Sequence, residues 1–340
     1  MLYRHISAAL LAISLALPLA AFDRGSVLLE NRSQSPYSLA VYTDLWAHMP
    51  GWPYALIAHG LPLNLKGVPY YGSGSFLAPA PNRIVFHSER TVSWWDGVYR
   101  EAHTNEPAYT EIFKADTELS EIAPMRSGNF LVAERWNDTA RGAKLIEFNL
   151  RGRVAEYRFP TLVDAETNRA LGARHIELLA DQCTVLYTLG SDHRLNNRVL
   201  RMNICTGAQQ ADFATLLAGE YAGAIRQLPS GDVLVANGAF VMKFNAQGSY
   251  TGGFPLAGVT HIALSPDAST VWAAGGPLDE LKLQRFELGG PSAAGVQVPI
   301  GNPEMQDSLA PLNVTDLVVV GEGRASAPRP LPRRGRAVSH

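Results

Sequence analysis

The chain has 340 residues, of which 46% are hydrophobic and 18% charged, with a formal net charge of -2. So balanced a charge gives no electrostatic footprint for nucleic acid, and that class of partner is excluded first.

The chain opens MLYRHISAALLAISLALPLAAFD, with Arg4 and His5 ahead of an apolar run from Ile6 to Leu17, then Pro18 and small residues through Ala21. The run is too short to span a bilayer and ends at a plausible cleavage site, so residues 1–21 are expected to be a secretory signal. No cysteine follows the run, so a bacterial lipid anchor is not indicated. The mature protein is expected to be periplasmic or secreted, soluble and monomeric, with one domain over residues 22–323. The remainder, 324–340, is RASAPRPLPRRGRAVSH, with five arginines and no acid. It reads as a disordered, solvated tail that could touch an anionic surface.

Short strands fill the space between. GSVLLENRSQSPYSLAVYTD reads as two strands, and residues 46–74 follow without a clear pattern, rich in Pro and Gly. Tyr42, Trp46, Trp52, Tyr54, Tyr70, Tyr71, Trp94 and Trp95 cluster in the N-terminal part of the chain, around this segment. They are expected either to pack between sheets or, as a cap over one face, to stack on a sugar or apolar ligand.

Two later stretches superimpose. SEIAPMRSGNFLVAE with KLIEFNLRGRVAEYRF, and GAIRQLPSGDVLVAN with KFNAQGSYTGGF, each give four short strands punctuated by Ser-Gly and a second glycine turn. A third copy starts at His261, where SPD forms the turn, and a fourth at His175. SFLAPAPNRIVFHS is a weaker fifth. VTDLVVVGE, near the C-terminal end, repeats the VTHIAL opening without its later strands, while the N-terminal pair lacks a first strand. Joined, they complete one unit. The expectation is an all-β, six-bladed β-propeller closed by N-terminal strands on a C-terminal one, with seven blades as the alternative.

Cys183 and Cys205 flank TVLYTLGS and RVLRMNI, two strands joined by DHRLNN, which places them opposite each other. A cross-strand disulfide is expected in an oxidising compartment, and two buried free thiols are the alternative. Asn31, Asn137 and Asn313 begin Asn-x-Ser/Thr triplets, of consequence only in a host that glycosylates.

SGNFLVAER with KLIEFNLRGRVAEYRFPT resembles the repeat of streptogramin-lyase-like propellers, and PSGDVLVAN with FVMKFNAQG resembles NHL and gluconolactonase-like repeats. The resemblance implies a propeller. For the gluconolactonase group it further implies a metal held by acidic and amide side chains at the channel mouth, where this chain has histidines instead. No stretch here matches the catalytic segment of the lyases.

In a propeller the first strand of each blade lines the central channel. The residue before the first inward apolar position is Ser75, Glu121, His175, Ala224, His261 or Asp316. Acids and imidazoles therefore converge on one mouth. Glu121, His175, His261 and Asp316 are candidate ligands for one divalent metal, with Ca, Mg, Mn and Zn not distinguished, and His175 and His261 are candidate acid/base groups. Connections between second and third strands open on the same face and carry candidate substrate-binding residues: Glu134, Trp136, Asp138, Asp192, His193 and Asn237, beside Asp279 and Glu280. The alternative for all of these is an ordinary polar rim.

No Gly-x-Ser-x-Gly, His-Glu-x-x-His, Cys-x-x-Cys or phosphate-binding glycine loop occurs, which argues against a serine hydrolase, a zincin and a nucleotide enzyme. Two functions stay open. One is a metal-dependent, lactonase-like hydrolase or a lyase acting on a small ester, lactone or ring. The other is a non-catalytic propeller gripping a protein or glycan.

Overall fold

The second strand of each repeat is apolar at almost every position, as in FLVAE, TVLYT, VLVA and TVWAAG, and the structure gives the reason. Each of these strands is buried along its whole length. Successive side chains of a strand point to opposite faces, so a continuous apolar run belongs to a sheet covered on both sides.

The computed structural model describes residues 27–34, 41–48, 55–58, 76–80, 83–88, 90–95, 110–160, 162–164, 166–189, 196–217, 220–275, 282–289, 296–298, 313–319 and 322. Among these residues the secondary structure is β-strand and turn, and no helix is long and apolar enough to cross a membrane. The expected signal (1–21) and the tail beyond 323 lie outside the described residues.

Among the described residues six sheets, besides a small side sheet, carry the architecture. In blade 1 the strand Asn313–Val319 pairs antiparallel with Val27–Gln34, which is followed outward by Val41–His48 and Ala55–Ala58. The stretch left unassigned from the sequence thus contributes its first residues and 55–58 to this sheet, and its remainder lies outside the described residues. Blade 2 runs Phe76–Ala80, Arg83–Ser88, Thr91–Trp95 and Thr110–Lys114. Blade 3 runs Leu119–Pro124, Phe130–Glu134, Lys144–Asn149 and Gly152–Arg158. Blade 4 has His175–Leu178, Thr184–Thr188 and Arg198–Asn203, with an outer edge split between Ala208–Gln209 and Ala214–Thr215. Blade 5 runs Ile225–Gln227, Val233–Ala236, Phe240–Phe244 and Tyr250–Pro255. Blade 6 runs His261–Leu264, Thr270–Gly275, Lys282–Glu287 and Val296–Val298. The six first strands touch one another in sequence, and the last, Asn313–Val319, touches both His261–Leu264 and Phe76–Ala80, which closes the circuit. The chain is a β-propeller.

Apolar layers fill the gaps between blades. Leu186, Val199, Ile225, Val233, Val235 and Phe244 pack between blades 4 and 5. Leu234, Ala236, Val241, Ile262, Val271 and Phe286 pack between blades 5 and 6. Alternate residues of VLVA thus serve two different cores, each fully buried side chain contributing roughly 1.5–3 kcal/mol. Of the aromatics grouped from the sequence, Trp94 packs against the layer between blades 2 and 3. Tyr42, Trp46 and Trp95 belong to strands of blades 1 and 2, while Trp52, Tyr54, Tyr70 and Tyr71 lie outside the described residues.

The turn between first and second strands is built alike in four blades. Gly128, Gln182, Gly231 and Ala268 all have positive φ, at 87°, 62°, 92° and 54°. Each sits two residues before its second strand, and each donates its N–H to the carbonyl three residues back. The Ser-Gly signal is the version of this turn that suits the left-handed conformation.

Cys183 and Cys205 are joined by a disulfide with a Cα–Cα distance of 5.3 Å. It closes the open end of the hairpin, beside the Thr184–Asn203 pair.

Candidate functional site

The innermost strand of each blade is a sheet edge, whose channel-side N–H and C=O groups have no partner strand. Such groups need hydrogen bonds from elsewhere. Here side chains of neighbouring blades supply them. The Glu121 carboxylate (Oε2) accepts from Ile176 N at 3.1 Å, and Glu177 Oε1 accepts from Gln227 N at 3.0 Å. Glu322 Oε1 accepts from Leu264 N at 2.7 Å. Hydroxyls serve the carbonyls: Ser120 Oγ donates to Ala173 O at 2.6 Å and Thr188 Oγ1 to Gly223 O at 3.1 Å.

Glu121 owes its position to a β-bulge. Leu119 pairs with Glu134 and Ile122 with Val132, so Ser120 and Glu121 together face one residue of the second strand. A bulge bends the strand and re-aims a side chain, and this one turns Glu121 toward blades 4 and 5. Its Oε1 lies 2.6 Å from Arg226 Nη1 of blade 5, and its Oε2 lies 3.3 Å from His175 Nδ1 of blade 4. Arg226 also donates through Nε to Glu322 Oε1 at 3.1 Å and through Nη1 to its own neighbour's carbonyl, Ile225 O, at 2.7 Å. Arg226, Glu121 and Glu322 are all buried.

His175 and His261 come from blades 4 and 6, yet their ring centroids stand 6.0 Å apart, edge to face. The intervening blade places Ala224 at the entry to its first strand, a side chain too small to separate the rings. Ala224 N instead bonds Thr260 O directly. His261 Nδ1 lies 2.7 Å from Thr260 Oγ1. Both rings keep some exposure; the side chain of His175 is 13% exposed. Burial pushes the pKa of His175 below its ordinary value, with Glu121 opposing the shift. Burial, with His175 adding to it, lowers that of His261 to about 3. Arg174 acts in the same direction on both, and its charge also reaches Tyr221, whose ring lies against Gly238. Both imidazoles are therefore neutral at neutral pH.

These donors do not fit a divalent ion at Glu121. Both carboxylate oxygens are engaged, and a guanidinium at 2.6 Å would face any cation that shared them. Among the described residues no group of three or more His, Cys, Asp or Glu is placed to hold a metal. Asp316 lies in the innermost strand of blade 1, opposite Glu30, and its side chain is outside the described set.

The expected loop residues divide. Glu134 and Asn137 are buried, with Glu134 Oε2 accepting from Asn137 Nδ2 at 2.9 Å and Lys144 N at 3.0 Å. Trp136 and Asp138 belong to a small side sheet with Arg169–Leu171 and Leu162–Val163, where Arg169 stacks over Trp136 at 4.0 Å. Asn237 is buried and ties its own turn, its Oδ1 accepting from Ala239 N and Phe240 N. These bonds stay within one blade or its side sheet. Asp192, His193, Asp279 and Glu280 lie outside the described residues. Sequence reasoning misses Arg226 and Glu322: Arg226 is a charge at the centre of the three-residue first strand Ile225–Gln227, and Glu322 lies just beyond the closing strand.

The chain matches no protein-family model and no curated protein. Solved structures share its fold. A nidogen/laminin complex matches at 11% identity and a TM-score of 0.56, over 87% of this chain and 98% of that one. TolB from Acinetobacter baumannii matches at 10% and 0.53, over 83% of this chain and 66% of that one. A gluconolactonase from Xanthomonas campestris matches at 12% and 0.48, over 76% and 86%. At such identities the likeness to the first two is one of fold alone, and it agrees with the propeller resemblance of the repeats.

Proposed function

We propose that the channel mouth is a general-base site acting on a small ester, lactone or ring, as a hydrolase or a lyase. The observation that carries this reading is the approach of His175 Nδ1 to Glu121 Oε2, at 3.3 Å, beside the ring of His261. A carboxylate on Nδ1–H fixes the tautomer and leaves the Nε2 lone pair as the base. In hydrolysis, Nε2 takes a proton from water as the water oxygen bonds the acyl carbon; the proton then passes to the departing alkoxide as its bond to that carbon breaks. In elimination, the same atom takes a proton from carbon and returns it to the leaving group. His261, with Thr260 Oγ–H donating to its Nδ1, would present Nε2–H to a developing oxyanion. Arg226 neutralises Glu121 from the buried side. Export of the chain, expected from its N-terminal sequence, agrees with the disulfide.

The test is a panel of lactones and activated esters offered to chelator-treated protein. Turnover that His175→Ala abolishes, with the fold retained by circular dichroism, supports the reading. An inert wild-type protein, or a His175→Ala variant of unchanged rate, overturns it and directs the search to a protein or glycan ligand.

A further inference from the structure

Blade 1 is already held shut by backbone pairing of Asn313–Val319 with Val27–Gln34. Just beyond that strand the chain nevertheless buries the carboxylate of Glu322 in the ring, against Arg226 of blade 5 and Leu264 N of blade 6. Burying charges has a desolvation cost that apolar packing avoids, so closure alone does not account for this ion pair. What the pair does is geometric. Arg226 is gripped at two nitrogens, Nε by Glu322 and Nη1 by Glu121, with Ile225 O as a third contact, which fixes both the position and the plane of the guanidinium. Glu121 in turn meets His175 through its other oxygen.

We infer that Glu322 is a positioning residue for the mouth: through Arg226 it sets the carboxylate of Glu121 and hence the ring of His175. The relay runs from the end of the closing strand through blade 5 to the bulge of blade 3, so the clasp of the ring and the working site share one chain of contacts. The inference rests on the general-base reading for its catalytic meaning, but the geometric coupling can be tested separately.

Glu322→Gln is the informative variant, because its amide oxygen can still accept from Leu264 N and Arg226 while the charge is removed. The first readout is the imidazole ring of His175 by long-range 1H–15N correlation, which distinguishes an Nδ1–H from an Nε2–H tautomer without any substrate. The expected result is loss of the single Nδ1–H form in Glu322→Gln. Glu322→Asp, which keeps the charge and withdraws it by one methylene, should give a partial change and serves if the Gln variant does not fold. Val241→Ala, a core truncation between blades 5 and 6, is the control for destabilisation and should leave the His175 spectrum unaltered. With a substrate from the panel, Glu322→Gln should lower kcat about tenfold with KM within about twofold, the pattern for a group felt mainly in the transition state. A His175 ring unchanged in Glu322→Gln and Glu322→Asp, with both variants merely less stable, overturns the inference whatever the panel yields. An inert panel with an altered ring overturns the catalytic reading alone.

Discussion

Arg226 Nη1 stands 2.6 Å from Glu121 Oε1, both side chains buried, on strands from blades 5 and 3 that are not neighbours in the ring. The pair bridges the blades on either side of blade 4, and both charges act on His175 and His261, Glu121 raising and Arg226 lowering their pKa values. Removing one partner leaves uncompensated charge. Arg226→Met should therefore lower unfolding free energy by about 3–5 kcal/mol. Arg226→Met combined with Glu121→Gln and Glu322→Gln, which removes all three charges, should recover part of that loss. Urea denaturation of the single and triple variants checks both statements, and a triple variant no more stable than the single one would contradict them.

Acid should weaken the fold before its carboxylates titrate. Burial lowers the pKa of His87 and of His261 to about 3, and lowers that of His175, all below the ordinary 6.5. The unfolded chain then binds protons that the folded chain refuses. The stability that His87 and His261 permit is complete above about pH 6.5 and is lost progressively as pH falls toward 3, by up to about 1.4 kcal/mol per pH unit for each, and His175 contributes with the same sign. The urea midpoint should be flat from about pH 8 to 7 and fall between about pH 6.5 and 5. A midpoint constant through that window would contradict the burial of neutral imidazoles.

Ala268 adopts φ 54° in a turn where two other blades place glycine. Left-handed backbone costs a non-glycine residue roughly 1–2 kcal/mol, partly offset by the greater chain entropy glycine loses on folding. Ala268→Gly should raise stability by about 0.5 kcal/mol. Gln182→Gly should do no such thing, because the Gln182 side chain accepts from Arg126 N and donates to Leu179 O. Thermal melts of Ala268→Gly and Gln182→Gly decide between turn strain and side-chain bonding.

The disulfide spans a sequence separation of 22 residues. Chain-entropy arguments assign a loop of that size roughly 3 kcal/mol. Cys183→Ser with Cys205→Ser should lose about that much stability in equilibrium unfolding, with no change in the environment of His175.

The fold is legible in the sequence because its rules are local. Apolar second strands such as VLVA and the Ser-Gly turns recur from blade to blade, and the incomplete ends complement each other. The mouth is legible in part for the same reason, since His175, Ala224 and His261 stand at equivalent strand entries. What the sequence does not disclose depends on contacts far apart in the chain. The bulge that re-aims Glu121 leaves no mark in SEIAP. Arg226 and Glu322 become partners only when the ring closes. Glu134 and Asn237 look like rim residues in the sequence, yet both are buried and bonded within their own hairpins.

A base at the mouth stands or falls on the protonation and tautomer of His175 in the wild-type protein at neutral pH, read from its ring nitrogens by NMR after metal removal. The account predicts a neutral ring with the proton on Nδ1, facing Glu121, and the lone pair on Nε2. A ring protonated on Nε2, or a cationic one, would leave no base at the mouth and would contradict the account.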